Sequence, residues 1–170
     1  MRVKACLVSA TIFLAIFSAI HMVSDAVSPI IKLPFLASSE AVWEHLKMAI
    51  YASSITIAVT EFAVHRRVKL YPLALGCIAT VFSMFVLYYI VVSVTGELSR
   101  ISLAIDLVVA IAVTWLSGLI GAITALESYE NIERISSTAR ATVITIYALL
   151  VALTFTTTYI GKEIPLFKPP

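Results

Sequence analysis

Five long apolar runs dominate the hydrophobic pattern of this chain, and short polar, basic or proline-bearing clusters separate them. The first run, 5–23, has His21 as its only strongly polar member. As a helix it is about 28 Å long, enough for the hydrocarbon core of a bilayer. The others lie at 46–64, 71–95, 101–126 and 141–160. The pattern predicts an all-α fold, an integral membrane bundle of five transmembrane helices forming one domain over 1–170. A cleaved signal peptide competes for the first run, because Met1-Arg2-Val3-Lys4 makes a basic start. The apolar run is long for a signal peptide and Ser24-Asp25-Ala26 is a poor cleavage site, so a retained span is expected.

The connecting segments carry the polar residues. Ser24 to Ser39 contains Pro29 and Pro34 with Ile30, Ile31, Leu33, Phe35 and Leu36 between or near them. Such a greasy loop is expected in the interface or packed on the bundle. Ser39 suits an N-cap, and Glu40 in the first turn suits the helix dipole. The second helix then reads from Glu40 to Val64, with Glu61 near its far end and the basic loop His65 to Lys69 after it. Helix three opens at Tyr71-Pro72 and reads to Thr95 with no charge, and Gly96 to Arg100 is a turn. Helix four has a mostly small stripe, Ser102, Asp106, Ala110, Val113, Ser117 and Gly121, of the kind that lets membrane helices approach. The stripe predicts that Asp106 points into the bundle. Glu127 to Arg140, with Glu130, Glu133 and Arg134, reads as a solvated loop or short surface helix. The tail after Ile160 has three prolines and no helical pattern.

Composition agrees with a lipid solvent. Mean hydropathy is +1.02, and 13% of residues are charged, against about a quarter in soluble domains. The expected partner is the lipid bilayer, with a homo-oligomer or larger membrane complex as a further candidate. A net charge of +2 argues against a nucleic-acid surface. Cys6 and Cys77 are far apart in apolar runs and read as small buried hydrophobes. The chain has no Gln and one Asn, Asn131, a depletion that points weakly to a thermophilic source. With the N-terminus inside, that face holds Arg2, Lys4, Arg66, Arg67, Lys69, Arg134 and Arg140. The other face holds Lys32, Lys47, Arg100, Lys162 and Lys168. The bias predicts a cytoplasmic N-terminus and a C-terminus outside.

That orientation collects unusual polar residues at the outer face. His21 ends the first span there, and Glu44 and His45 begin the second. Asp106 lies about 8 Å into the fourth. Asp25, Glu40 and Glu97 share the side. A His, His, carboxylate set of His21, His45 and Asp106 would suit a transition metal, with Glu44 as a base or as support for a ligand. The competing reading is an interfacial belt. Glu40, Trp43, Glu44 and Lys47 share a helix face, with Trp at headgroup level and Lys snorkelling outward. Asp106 is either functional or a hydrogen-bonded tie between helices. Glu61 reads as a snorkelling ion pair with Arg66 or His65, or as a transport site. No nucleophile elbow, phosphate loop, dinucleotide fingerprint or zinc-protease helix is present.

Ser39-Glu40-Ala41-Val42-Trp43-Glu44-His45-Leu46-Lys47 resembles the N-E-S-V-W-E-H-L-K signature of an uncharacterised family of small multi-pass prokaryotic membrane proteins, a domain of unknown function. Ile20-His21-Met22 is similar to that family's L-H-F, Thr60-Glu61-Phe62 to its E-Y, and Pro165-Leu166-Phe167 to its P-L-F. Asp106 is similar to an Asp in its fourth span. The family's Asn is Ser39 here, its Ser is Ala41, and its D-P-x-T-G-x-Y-G ending is missing. The resemblance implies a prokaryotic membrane protein that retains its first span, and it brings no activity with it.

Three classes of function follow. The first is a binding, accessory or structural membrane protein with the V-W-E-H-L-K helix start as a structural corner. The second is a metal-binding membrane protein or metal-dependent membrane enzyme using His21, His45 and Asp106 with Glu44. The third is a small transporter using Asp106 and Glu61.

Overall fold

All five apolar runs fold as long helices in the computed structural model, which describes residues 2–27, 32–37, 42–95 and 103–160. They are α1 (Arg2–Val27), α2 (Val42–His65), α3 (Leu70–Thr95), α4 (Leu103–Glu130) and α5 (Ser137–Ile160). Each is long and apolar enough to cross a membrane. A single 3₁₀ turn, Ile132–Arg134, joins α4 to α5, and no strand occurs among the described residues. Ser39, Glu40, Glu97, Arg100, Ser102 and the tail with Pro165 to Phe167 lie outside the described residues.

The helices run past the ends of the apolar runs. An apolar run ends where lipid ends, whereas a helix ends where its backbone is interrupted. Most of the solvated loop expected after Leu126 is therefore helix. Glu127, Ser128, Tyr129 and Glu130 continue α4, and only Asn131 to Ser136 turns the chain. Helix α2 stops at an unusual cap. Arg66 has φ 58°, and its N–H bonds Phe62 O at 2.9 Å. This left-handed closing residue is normally glycine.

Helix α2 is the least apolar of the five and also the most buried. From Trp43 to Ile50 only His45 is not buried. A helix shielded on every side is surrounded by other helices. Here α1 and α3 flank it, and their Phe13, Phe17, Val81 and Met84 join Trp43, Leu46, Met48 and Ile50 in the main core. The polar side chains of α2 are thereby kept from lipid, where they would be costly.

Helices α3 and α4 are the most closely packed pair. A Cβ added at Gly76 would lie 2.7 Å from Ala125 Cβ and 2.8 Å from Gly121 O. One added at Gly121 would collide with Thr80 Oγ1 and meet Gly76 O at 2.8 Å. Small residues let the backbones touch, as the stripe on α4 predicts for Ser117 and Gly121. The stripe fails toward its start. Val113 is buried, but Ala110 and Asp106 are exposed. Asp106 thus does not point into the bundle. A helix face is buried only as far as its neighbours reach, and residues 105–112 of α4 are exposed except at half-buried Val109.

Residues 32–37 of the greasy loop pack on the bundle. Leu36 N bonds Leu33 O at 3.0 Å, closing a turn that buries Pro34 and Leu36. Ala37 N bonds Ser24 Oγ at 3.0 Å, and Phe35 lies edge-on to Tyr51 with ring centroids 5.9 Å apart. Helix α5 is the outermost, lying chiefly against α3 and touching α2 along one polar face.

Candidate functional site

The end of α1 and the start of α2 meet at one end of the bundle, and two of the sequence candidates meet there. His21 Nε2 and His45 Nε2 are 3.2 Å apart, with ring centroids at 5.2 Å and ring planes tilted by 47°. One turn beyond His21, Asp25 Oδ2 lies 3.4 Å from His21 Nδ1. A carboxylate on Nδ1 places the ring proton there and leaves Nε2 with its lone pair toward His45. Both rings are half-exposed, so the pair is open at the surface. The pair can share one proton as an N–H···N bond, or turn both lone pairs onto a common ion.

The third sequence candidate does not join them. Asp106 is exposed on the outer side of α4, and among the described residues no three His, Cys, Asp or Glu side chains gather around one point. Asp25 takes the carboxylate role, as a support for His21 rather than a ligand. Its i, i+4 spacing from His21 was legible in the sequence. The proximity of the two histidines depends on how α1 and α2 pack.

Glu44, on the neighbouring face, is committed elsewhere. Its carboxylate Oε2 accepts from Lys47 Nζ at 2.9 Å, one turn along α2. The two side chains are 7% and 1% exposed. This overturns the snorkelling belt. Lys47 turns inward, and its ammonium also donates to Thr158 Oγ1 of α5 at 3.1 Å. Trp43 Nε1 donates to Thr157 Oγ1 at 2.8 Å, Tyr51 OH bonds Thr154 Oγ1 at 2.7 Å, and Ser54 Oγ bonds Tyr147 OH at 2.8 Å. The polar face of α2 thus forms a seam with α5. Four threonines near the end of α5, Thr154, Thr156, Thr157 and Thr158, were the signal in the sequence. Thr158 supplies the acceptor that lets the lysine turn inward, and Thr157 and Thr154 bond Trp43 and Tyr51 beside it.

At the opposite end of α2, Glu61 is buried and forms no ion pair with Arg66 or His65. Its Oε2 accepts Lys69 N–H at 2.8 Å, while Arg66 is exposed. His65 instead stacks on Tyr129 of α4, with ring centroids 3.8 Å apart and planes within 2°. Lys69 Nζ lies 4.2 Å from the centroid of the same ring. The snorkelling pair fails because α4 continues past the apolar run and covers this corner.

The fold defines the class, an all-α multi-pass integral membrane protein with a polar core along its second helix. No protein-family model, no curated protein and no solved structure matches the chain.

Proposed function

We propose that this protein binds a transition-metal ion at the His21–His45 pair. The supporting observation is the 3.2 Å separation of the two Nε2 atoms with a carboxylate behind one ring. Two imidazoles on one tetrahedral ion, each near 2.0–2.1 Å from the metal, place their nitrogens about 3.3 Å apart. The pair is therefore set for a shared ion with little movement. It would supply two ligands and leave the remaining positions to water or substrate. Asp25 on Nδ1 would orient the His21 ring.

We place the site at the outer face, with the N-terminus in the cytoplasm of a prokaryotic cell, on the basic residues of the inner loops. The V-W-E-H-L-K resemblance to the uncharacterised membrane family supports the prokaryotic membrane setting alone. Elemental analysis of the protein purified in mild detergent tests it. Wild type is expected to hold one transition metal per chain, and His21→Ala and His45→Ala to lose it. A folded wild type that takes up no metal under saturating conditions would overturn it.

A second reading, an accessory or structural membrane protein, is favoured by the α2–α5 seam. There V-W-E-H-L-K is a buried corner that fixes α5 on the bundle and leaves its outer side for lipid, a second copy or a larger membrane complex. Metal-free protein that elutes as a stable oligomer or with a partner subunit would favour this reading.

A further inference from the structure

The groups at the Glu61 end of α2 take part in neither the histidine pair nor the α5 seam. Glu61 is 0% exposed, and its second carboxylate oxygen, Oε1, has no hydrogen-bond partner among the described residues. One turn further along the same helix face, His65 Nε2 is also out of contact with solvent and without a partner there. Residues four apart on a helix place their Cβ atoms about 5–6 Å apart. Two orphaned polar atoms, one on a carboxylate and one on an imidazole, therefore lie one turn apart on that face, beyond direct hydrogen-bonding distance.

The surrounding charges do not account for them. Among the described residues no cationic nitrogen lies within ion-pairing distance of Glu61. The Lys69 ammonium sits over Tyr129, and Arg66 and Arg67 are exposed. From α4, Tyr129 stacks on His65, while Glu127 and Glu130 are exposed. From α1, Arg2 pairs with Glu130, Lys4 is exposed and Cys6 is buried. From α3, Tyr71 is buried. Buried polar groups normally find partners, and orphaned ones mark a missing ion, water or proton.

We propose that Glu61 and His65 form a proton-binding pair, holding one proton between Glu61 Oε1 and His65 Nε2 through one bridging water. That proton satisfies both atoms at once. It comes from and returns to the aqueous phase at this face, through the half-exposed His65 ring. The stack on Tyr129 holds that ring in place.

The test follows the ring signals of isotope-labelled histidines by NMR through a pH titration of the full chain in detergent micelles. Glu61→Gln keeps the side-chain shape and the carbonyl that accepts Lys69 N–H. The expected result is a shift of the His65 midpoint by at least tenfold in proton concentration, with His21 and His45 unmoved. Should Glu61→Gln fail to fold, Glu61→Asp draws the charge back by one methylene and serves the same comparison. Identical His65 titration in wild type and a folded variant would overturn the pair. Because His21 and His45 report separately, failure here is distinguishable from failure of the metal site.

Discussion

Lys47 offers the sharpest test of the bundle's construction. Its side chain is 1% exposed and its ammonium makes two bonds, to Glu44 at 2.9 Å and to Thr158 at 3.1 Å. Lys47→Met keeps the length of the stem but removes the charge. The Glu44 carboxylate, only 7% exposed, then loses its buried ammonium partner. Breaking one side of a buried pair typically costs about 3–5 kcal/mol, most of it the stranded charge rather than the lost attraction. Replacing both partners is much cheaper, so Glu44→Gln with Lys47→Met is expected to recover to within about 1–2 kcal/mol of wild type. The measurement is equilibrium unfolding in mixed micelles, followed by circular dichroism and by the fluorescence of buried Trp43. A Lys47→Met loss below about 1 kcal/mol, the range of an exposed pair, would refute the inward lysine. So would additive effects of the two substitutions in the double-mutant cycle.

Two further predictions concern backbone geometry. Gly121→Ala places a methyl group against Thr80 Oγ1 and Gly76 O. It is expected to cost at least about 1–3 kcal/mol by forcing α3 and α4 apart, read in the same unfolding assay, and a neutral result would mean the two helices are not in backbone contact. Arg66→Gly relieves the left-handed residue that closes α2. It is expected to stabilise the fold by up to about 1 kcal/mol, and a loss of stability would show that the Arg66 side chain matters more than its backbone.

The helices themselves were legible because lipid-spanning length and apolar composition are local properties. Each span can be read without knowing its neighbours, and each folds as expected. Candidate residues were legible as types, and His21 with His45 came together. Their register was harder to read. Asp106 matched the small stripe of α4, but a face is buried only where another helix covers it, and the bundle does not cover that turn.

The sequence by itself determined that this chain is five membrane-spanning helices, and that its second helix starts with an unusual group of charged and aromatic side chains. Only tertiary packing decided what those side chains do. Lys47 near a helix end snorkels if it faces headgroups, and turns inward if hydroxyls wait within reach. The hydroxyl that receives it belongs to Thr158, 111 residues away in the chain. Likewise Glu61 could pair with a nearby arginine until α4, continuing past its apolar run, placed Tyr129 against His65 and Lys69. Short-range pattern sets which segments cross the membrane, because each residue's preference for lipid is its own. Pairing of polar groups needs two elements at bonding distance, and that distance exists only once the helices have packed.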